Sequence, residues 1–193
     1  MAVSAPVITV PAFGSAHDGV RHFFGTRHRA PVAYETGVPL LDSVARDRTW
    51  TLSVKQVHGT DALIVDLRRN GGGHPKMIAT ILTYFTKPDD RLQLNSFYMR
   101  ESNETNQYWT SPYVPGPRYT GRPVYVLISN RTASAAEEFA YDMQTHKLGT
   151  IVGAVSAGGA NPGGMFRLSE NFAAFIATGR AINPVTKTNW EGV

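Results

Sequence analysis

The sequence contains no cysteine. Disulfide frameworks, thiolate zinc sites and cysteine nucleophiles are therefore excluded. It also lacks long apolar runs. No stretch approaches the roughly 20 apolar residues of a membrane span. The start, Met-Ala-Val-Ser-Ala-Pro-Val-Ile-Thr-Val-Pro, has no basic n-region and is broken by Pro6 and Pro11, so no signal peptide is expected and the chain as it stands reads as cytoplasmic. Basic runs are missing too. Lys and Arg never extend beyond the pair Arg68-Arg69, and a formal net charge of +4 is scattered, so no nucleic-acid partner is expected. What remains is 193 residues with 42% hydrophobic and 18% charged content, an ordinary composition with room for one substantial core.

Two regions differ in character. Residues 1–60 are irregular, broken by Gly14, Gly19, Gly25, Pro31, Gly37 and Pro39, with short extended pieces expected at 20–24 and 49–54. From Asp61 the pattern becomes regular. Ala62-Leu63-Ile64-Val65-Asp66-Leu67 suits a strand buried on both faces. Asn70-Gly71-Gly72-Gly73 ends it, and Pro75 suits the first turn of a helix whose stripe is Met77, Ile78, Ile81, Leu82 and Phe85. Residues 92–99 read as a strand, 101–122 as a long polar and aromatic excursion, and 123–129 as a second buried strand. A helix over about 133–146, a strand over 150–153, a Gly-rich turn over 157–164 and extended pieces at 165–168 and 172–176 follow. Strand, helix, strand, helix, strand predicts an α/β domain with a mostly parallel sheet.

In such sheets, sites gather where strands end and helices begin. At Asp66–Gly73, three glycines expose backbone N–H groups. That suits half of an oxyanion hole, or a plain tight turn, and the Gly-Lys-Ser/Thr end of a nucleotide loop is absent. At Ser129–Glu138, Ser134 stands in the first turn of a helix beside the N–H of Ala135. This is the arrangement of an acyl-transfer nucleophile, and equally of a helix cap, with Thr132 the better cap.

Both junctions resemble the tail-specific, or carboxyl-terminal-processing, serine peptidase family: Asp-Ala-Leu-Ile-Val-Asp-Leu-Arg-Arg-Asn-Gly-Gly-Gly (61–73) and Thr-Ala-Ser-Ala-Ala-Glu-Glu-Phe-Ala (132–140). The stretches Ile-Val-Gly (151–153), Gly-Gly-Ala-Asn-Pro-Gly-Gly (158–164) and residues 178–193 are similar to its branch near the tricorn core and the interphotoreceptor retinoid-binding protein. The resemblance covers 61–193. It implies a ClpP/crotonase-like core, Ser134 as nucleophile, backbone N–H groups at Gly72, Gly73 and Ala135 as oxyanion hole, and Glu191 as the acidic residue behind the catalytic network. It implies a peptide or protein substrate and neither cofactor nor metal.

The general base is not identified. The lysine of the processing-protease branch is absent from the matching Gly158-Gly159-Ala160, and the tricorn-like branch takes a histidine from a segment not recognised here. The histidines are His17, His22, His28, His58, His74 and His146. Residues 19–28 and 54–61 resemble instead the start of the laccase-domain (polyphenol-oxidase-like) family, in which His58 would match a zinc ligand. Its cysteine partner does not exist here, and one imidazole does not hold zinc. The chain thus divides into an irregular, laccase-domain-like segment (1–60) and a peptidase-like core (61–193). That core ends at Trp190-Glu191-Gly192-Val193, before a further strand usual in the family, so an unpaired sheet edge and a loosely held Glu191 are expected. Two other readings stand beside the peptidase. One is a non-catalytic binding module for a peptide or small apolar ligand, with the aromatic segment 108–119 lining a groove. The other is an inactive hybrid. Oligomeric state is not legible.

Overall fold

The computed structural model describes residues 7–9, 25–27 and 57–193. In chain order its elements are β1 (Val7–Thr9), β2 (Gly25–Arg27), β3 (Leu63–Asp66), α1 (Pro75–Thr83), β4 (Gln93–Met99), β5 (Glu104–Trp109) and β6 (Val124–Ile128), then α2 (Ala135–Thr145), β7 (Thr150–Gly153), β8 (Gly163–Arg167), β9 (Ala173–Ala177) and β10 (Gly179–Ile182).

The main sheet has the order β2-β1-β3-β6-β7. β3 pairs parallel with β1 and β6, and β6 with β7; β2 alone runs antiparallel. The α/β class and its largely parallel sheet are therefore as the sequence implies. The continuous apolar run at 62–67 is needed because β3 is central: Leu63, Val65 and Leu67 are buried, as are Val124, Val126 and Ile128 beside them. The N-terminal region supplies two strands to this sheet. The extended pieces expected at 20–24 and 49–54 lie outside the described residues, as do His17, His22 and His28.

Both helices lay apolar stripes on the core. In α1, His74 caps the start by accepting the Lys76 N–H on Nδ1 at 3.1 Å, Pro75 fills the first turn, and Ile78, Ile81 and Leu82 are buried. In α2, Ala136, Phe139, Ala140 and Met143 are buried, with Phe139 edge-on to Phe85 at 6.1 Å between centroids. Truncating such a core phenylalanine to alanine costs about 3–5 kcal/mol.

Part of the excursion expected over 101–122 is strand. Glu104–Trp109 pairs antiparallel with β4, which also pairs with β10, in a separate sheet of order β10-β4-β5. Glu104, Thr105, Asn106 and Gln107 are all exposed, so no apolar alternation marked this strand. The remainder is fixed by its own packing. Arg118 donates to the Thr83 and Pro112 carbonyls at 2.8 and 3.0 Å, and buried Tyr119 stands edge-on to Phe85. These aromatics mainly anchor the loop, although Tyr113 is exposed. A third sheet, β8-β9, is an isolated hairpin. β7 and β2 are the outer strands of the main sheet.

Candidate active site

The two strand-end turns are stitched together. The Ala133 N–H donates to the Asn70 carbonyl at 3.1 Å, Thr132 Oγ1 donates to the Leu67 carbonyl at 2.9 Å, and Ser129 Oγ donates to the Arg68 carbonyl at 2.7 Å. Thr132 is thus not the helix cap; it ties the β6 end to the β3 end. The cap position belongs to Ser134.

Ser134 does not have ordinary cap geometry. A capping serine normally has extended backbone and accepts an N–H of the first helical turn on its hydroxyl oxygen. Ser134 shares a capping box with Glu137, yet it has φ 54° and ψ −124° and is exposed. For a residue with a Cβ this conformation costs about 1–3 kcal/mol. Such a sharp, strained strand-to-helix turn lifts a serine hydroxyl clear of the helix it begins.

Gly72 permits the approach of the other turn. It has φ +112°, and a Cβ there would lie 2.7 Å from the Ser134 Cβ, 2.9 Å from the Ala133 carbonyl oxygen and 3.2 Å from the Ala135 nitrogen. Only a residue without a side chain fits between them. Its own N–H is engaged, donating to Asn70 Oδ1 at 2.9 Å, and Gly73 makes an isolated β-bridge. Ala135 is the first residue of α2, where an N–H has no partner within the helix.

Glu137 holds this turn from behind. Its carboxyl is fully buried; Oε2 accepts from the Ser134 and Gly159 N–H groups at 2.6 and 2.8 Å, and Oε1 from the Gly158 N–H and Ser156 Oγ at 2.7 and 2.6 Å. Glu191 takes the next amide of the same turn, the Ala160 N–H at 3.0 Å, with Asn161 Nδ2 at 3.3 Å. Trp190, buried and edge-on to Phe97 at 5.8 Å, anchors it. Glu191 is therefore firmly placed. Glu137 was overlooked in the sequence, although Ser-x-x-Glu before an apolar run is the signature of a serine–glutamate pair at a helix start.

Beside Ser134 lies a cavity of about 480 Å³, walled by Phe97, Ala135, Ala160, Pro162, Phe175 and Trp190, with Glu138 as its buried acid. Burial holds Glu138 well above the usual carboxyl range, against a smaller opposing pull from Asn95 Nδ2, which donates to it. Asp142, one turn further along α2, is likewise raised, by burial first and by the charge of Glu138 second, while Asn183 opposes.

The described histidines are dispersed. His58 sits before β3, at the end of that strand away from Gly72. His146 closes the far end of α2, about 18 Å from Ser134 by helical rise, and burial lowers its pKa. His74 caps α1 close in sequence to the glycine turn. Among the described residues no three His, Asp or Glu side chains gather as a metal site, and no helix is long and apolar enough to cross a membrane. Most of the laccase-domain-like stretch lies outside the described residues.

The tail-specific protease of Haemophilus influenzae is 33% identical over 97 residues, which is 48% of this chain and 12% of that protein. Among solved structures, mature CPAF complexed with lactacystin superposes with a TM-score of 0.69 at 14% identity, over 98% of this chain and 46% of that one. The photosystem II D1 C-terminal processing protease superposes at 0.56 and 24% identity, over 78% and 37%. The chain thus spans less than half the length of each of these relatives. At these identities the two structural likenesses establish the fold alone. A model of peptidase family S41 matches residues 43–193, more than three quarters of the sequence and 18 residues beyond the motif-based boundary at 61. The chain belongs to peptidase family S41.

Proposed function

We propose that the chain carries the acyl-transfer site of a serine-type peptidase, on a ClpP/crotonase-like core, acting on peptide or protein substrates. The observation that carries this reading is the backbone of Ser134, strained at φ 54° and packed against a glycine that admits no Cβ. A serine needed only as a cap would take the relaxed extended conformation.

In the mechanism that follows, Ser134 Oγ attacks the scissile carbonyl carbon while a base takes its proton. The carbonyl oxygen becomes an oxyanion at the start of α2, facing the Ala135 N–H and the positive end of the helix. The glycine turn supplies the second wall. With the Gly72 N–H given to Asn70, further donation falls to Gly73. The tetrahedral species collapses to an acyl-enzyme as the amine leaves with a proton, and water then releases the acid. Glu137 and Glu191 act through the 156–161 turn, Glu137 fixing Ser134 itself and Glu191 the amide of Ala160.

A fluorophosphonate probe tests the reading. Labelling of the wild type and not of Ser134→Ala is the expected result; equal labelling of both, or none at all, overturns it. The apolar cavity walls favour one alternative, a binding module on the same fold, which would show saturable ligand binding without labelling.

A further inference from the structure

One side chain holds the Gly72 N–H, and it makes no other hydrogen bond among the described residues. Asn70, fully buried after β3, accepts that N–H on Oδ1 at 2.9 Å. Its remaining bonds belong to its backbone. The Asn70 N–H donates to the Leu67 carbonyl at 2.9 Å, and its carbonyl accepts from the Ala133 N–H at 3.1 Å. Neither needs the side chain. The amide nitrogen, Nδ2, is buried without a partner among the described residues, and the bond from Gly72 fixes which end of the amide is oxygen. A buried donor left unmatched is costly. Asn70 thus carries a penalty at one end of its amide and makes a single bond with the other.

That bond bears on which amide can meet a substrate. Gly73, Ser134 and Ala135 border the cavity, whereas Gly72 does not. Gly72 is buried, Gly73 is exposed, and a Cβ on Gly72 would stand 3.2 Å from the Ala135 nitrogen. With the Gly72 N–H turned onto Asn70, the next amide of the turn is the one presented to the cavity. We propose that Asn70 is a positioning residue for the oxyanion hole. Its side chain locks the Gly72 peptide so that the turn offers Gly73, opposite Ala135, to the scissile carbonyl. This rests on the peptidase reading and extends it to a residue that touches no substrate. The acceptor must also be neutral. A carboxylate would accept the same N–H, but it would set a negative charge close to the developing oxyanion and oppose it.

The test follows the rate of fluorophosphonate labelling against probe concentration, which separates the maximal rate from half-saturation. Asn70→Ala should lower the maximal rate at least about tenfold and leave the half-saturating concentration within about twofold. Asn70→Ser, whose hydroxyl is a neutral acceptor for the same N–H, should recover to within about threefold of the wild type. Asn70→Asp should be at least about tenfold slower than the wild type at about pH 8, and the deficit should narrow toward about pH 5 as the new carboxyl takes up its proton. A side chain needed only to satisfy a buried N–H would let Asn70→Asp label like the wild type at every pH, which overturns the proposal. An unchanged maximal rate in Asn70→Ala, a loss confined to half-saturation, or Asn70→Ser no faster than Asn70→Ala also overturns it. If Asn70→Ala gives no cooperative melt, the comparison of Asn70→Ser with Asn70→Asp decides alone. A wild type that takes no label overturns the peptidase reading and this role with it; a labelled wild type indifferent to changes at Asn70 overturns this role alone.

Discussion

Glu137 Oε2 accepts the backbone N–H of Ser134 at 2.6 Å, so the strained turn is braced by a buried carboxyl three residues ahead in its own helix. The same carboxyl holds Gly158, Gly159 and the Ser156 hydroxyl. Replacing Glu137 with Gln puts an NH₂ group against donors it cannot accept. We expect Glu137→Gln to lower unfolding free energy by about 2–4 kcal/mol in urea titrations, because more than one buried donor loses its acceptor. Probe labelling of Ser134 should fall at least tenfold. A variant that melts and labels like the wild type would show that the brace is dispensable.

Ser134 itself supports a second prediction. Glycine adopts φ 54° freely, so Ser134→Gly should relieve strain and raise stability by about 1 kcal/mol while abolishing labelling. Ser134→Ala keeps a Cβ and should gain nothing. Calorimetric melting of both variants decides. A destabilised Ser134→Gly would mean that the turn is not under strain.

Gly72→Ala should do the opposite. The new methyl meets the Ser134 Cβ at 2.7 Å and a carbonyl oxygen at 2.9 Å, at a positive φ that alanine resists. We expect a loss of about 1–3 kcal/mol and labelling reduced at least tenfold. Labelling that survives would place the reactive geometry elsewhere.

The buried acids give stability a definite slope with pH. Glu138 and Asp142 are raised above ordinary values of 4.5 and 3.8. Above those values the unfolded chain has released protons that the folded chain retains, so stability falls as pH rises toward the folded pKa values. Asp66 works in the other direction: the Arg68 guanidinium lowers it, so its contribution is present above 3.8 and is lost only in stronger acid. Denaturant midpoints should therefore decline as pH rises above the ordinary carboxyl values of 4.5 and 3.8, and Glu138→Gln should flatten that decline. The substitution removes one titrating group and relieves Asp142 of a charged neighbour. An unchanged slope would show that these acids ionise normally in the fold.

How much of this was legible beforehand depended on where the apolar residues fell. β3, β6 and β7 are central or packed against helices, so their runs at 63–66, 124–128 and 150–153 could be read directly. β5 could not, because Glu104–Gln107 face solvent, and the antiparallel partners of β4 are joined by register rather than by pattern. Ser134 was visible as a residue and ambiguous as a role; the sign of its φ, on which the proposed role rests, is not written in residue types. Glu137 and Glu138 are adjacent residues of one type in the sequence. Burial splits them, giving one to the turn and the other to the cavity.

The hairpin of β8 and β9 carries exposed Met165, Phe166, Phe172 and Phe175 and pairs with no third strand among the described residues. Two strands alone protect their amides poorly, so deuterium should enter here long before it reaches β3 or β6. Because Gly163 and Phe175 also wall the space beside Ser134, the most rigid part of the site, the braced serine, faces its most labile part across a single cavity.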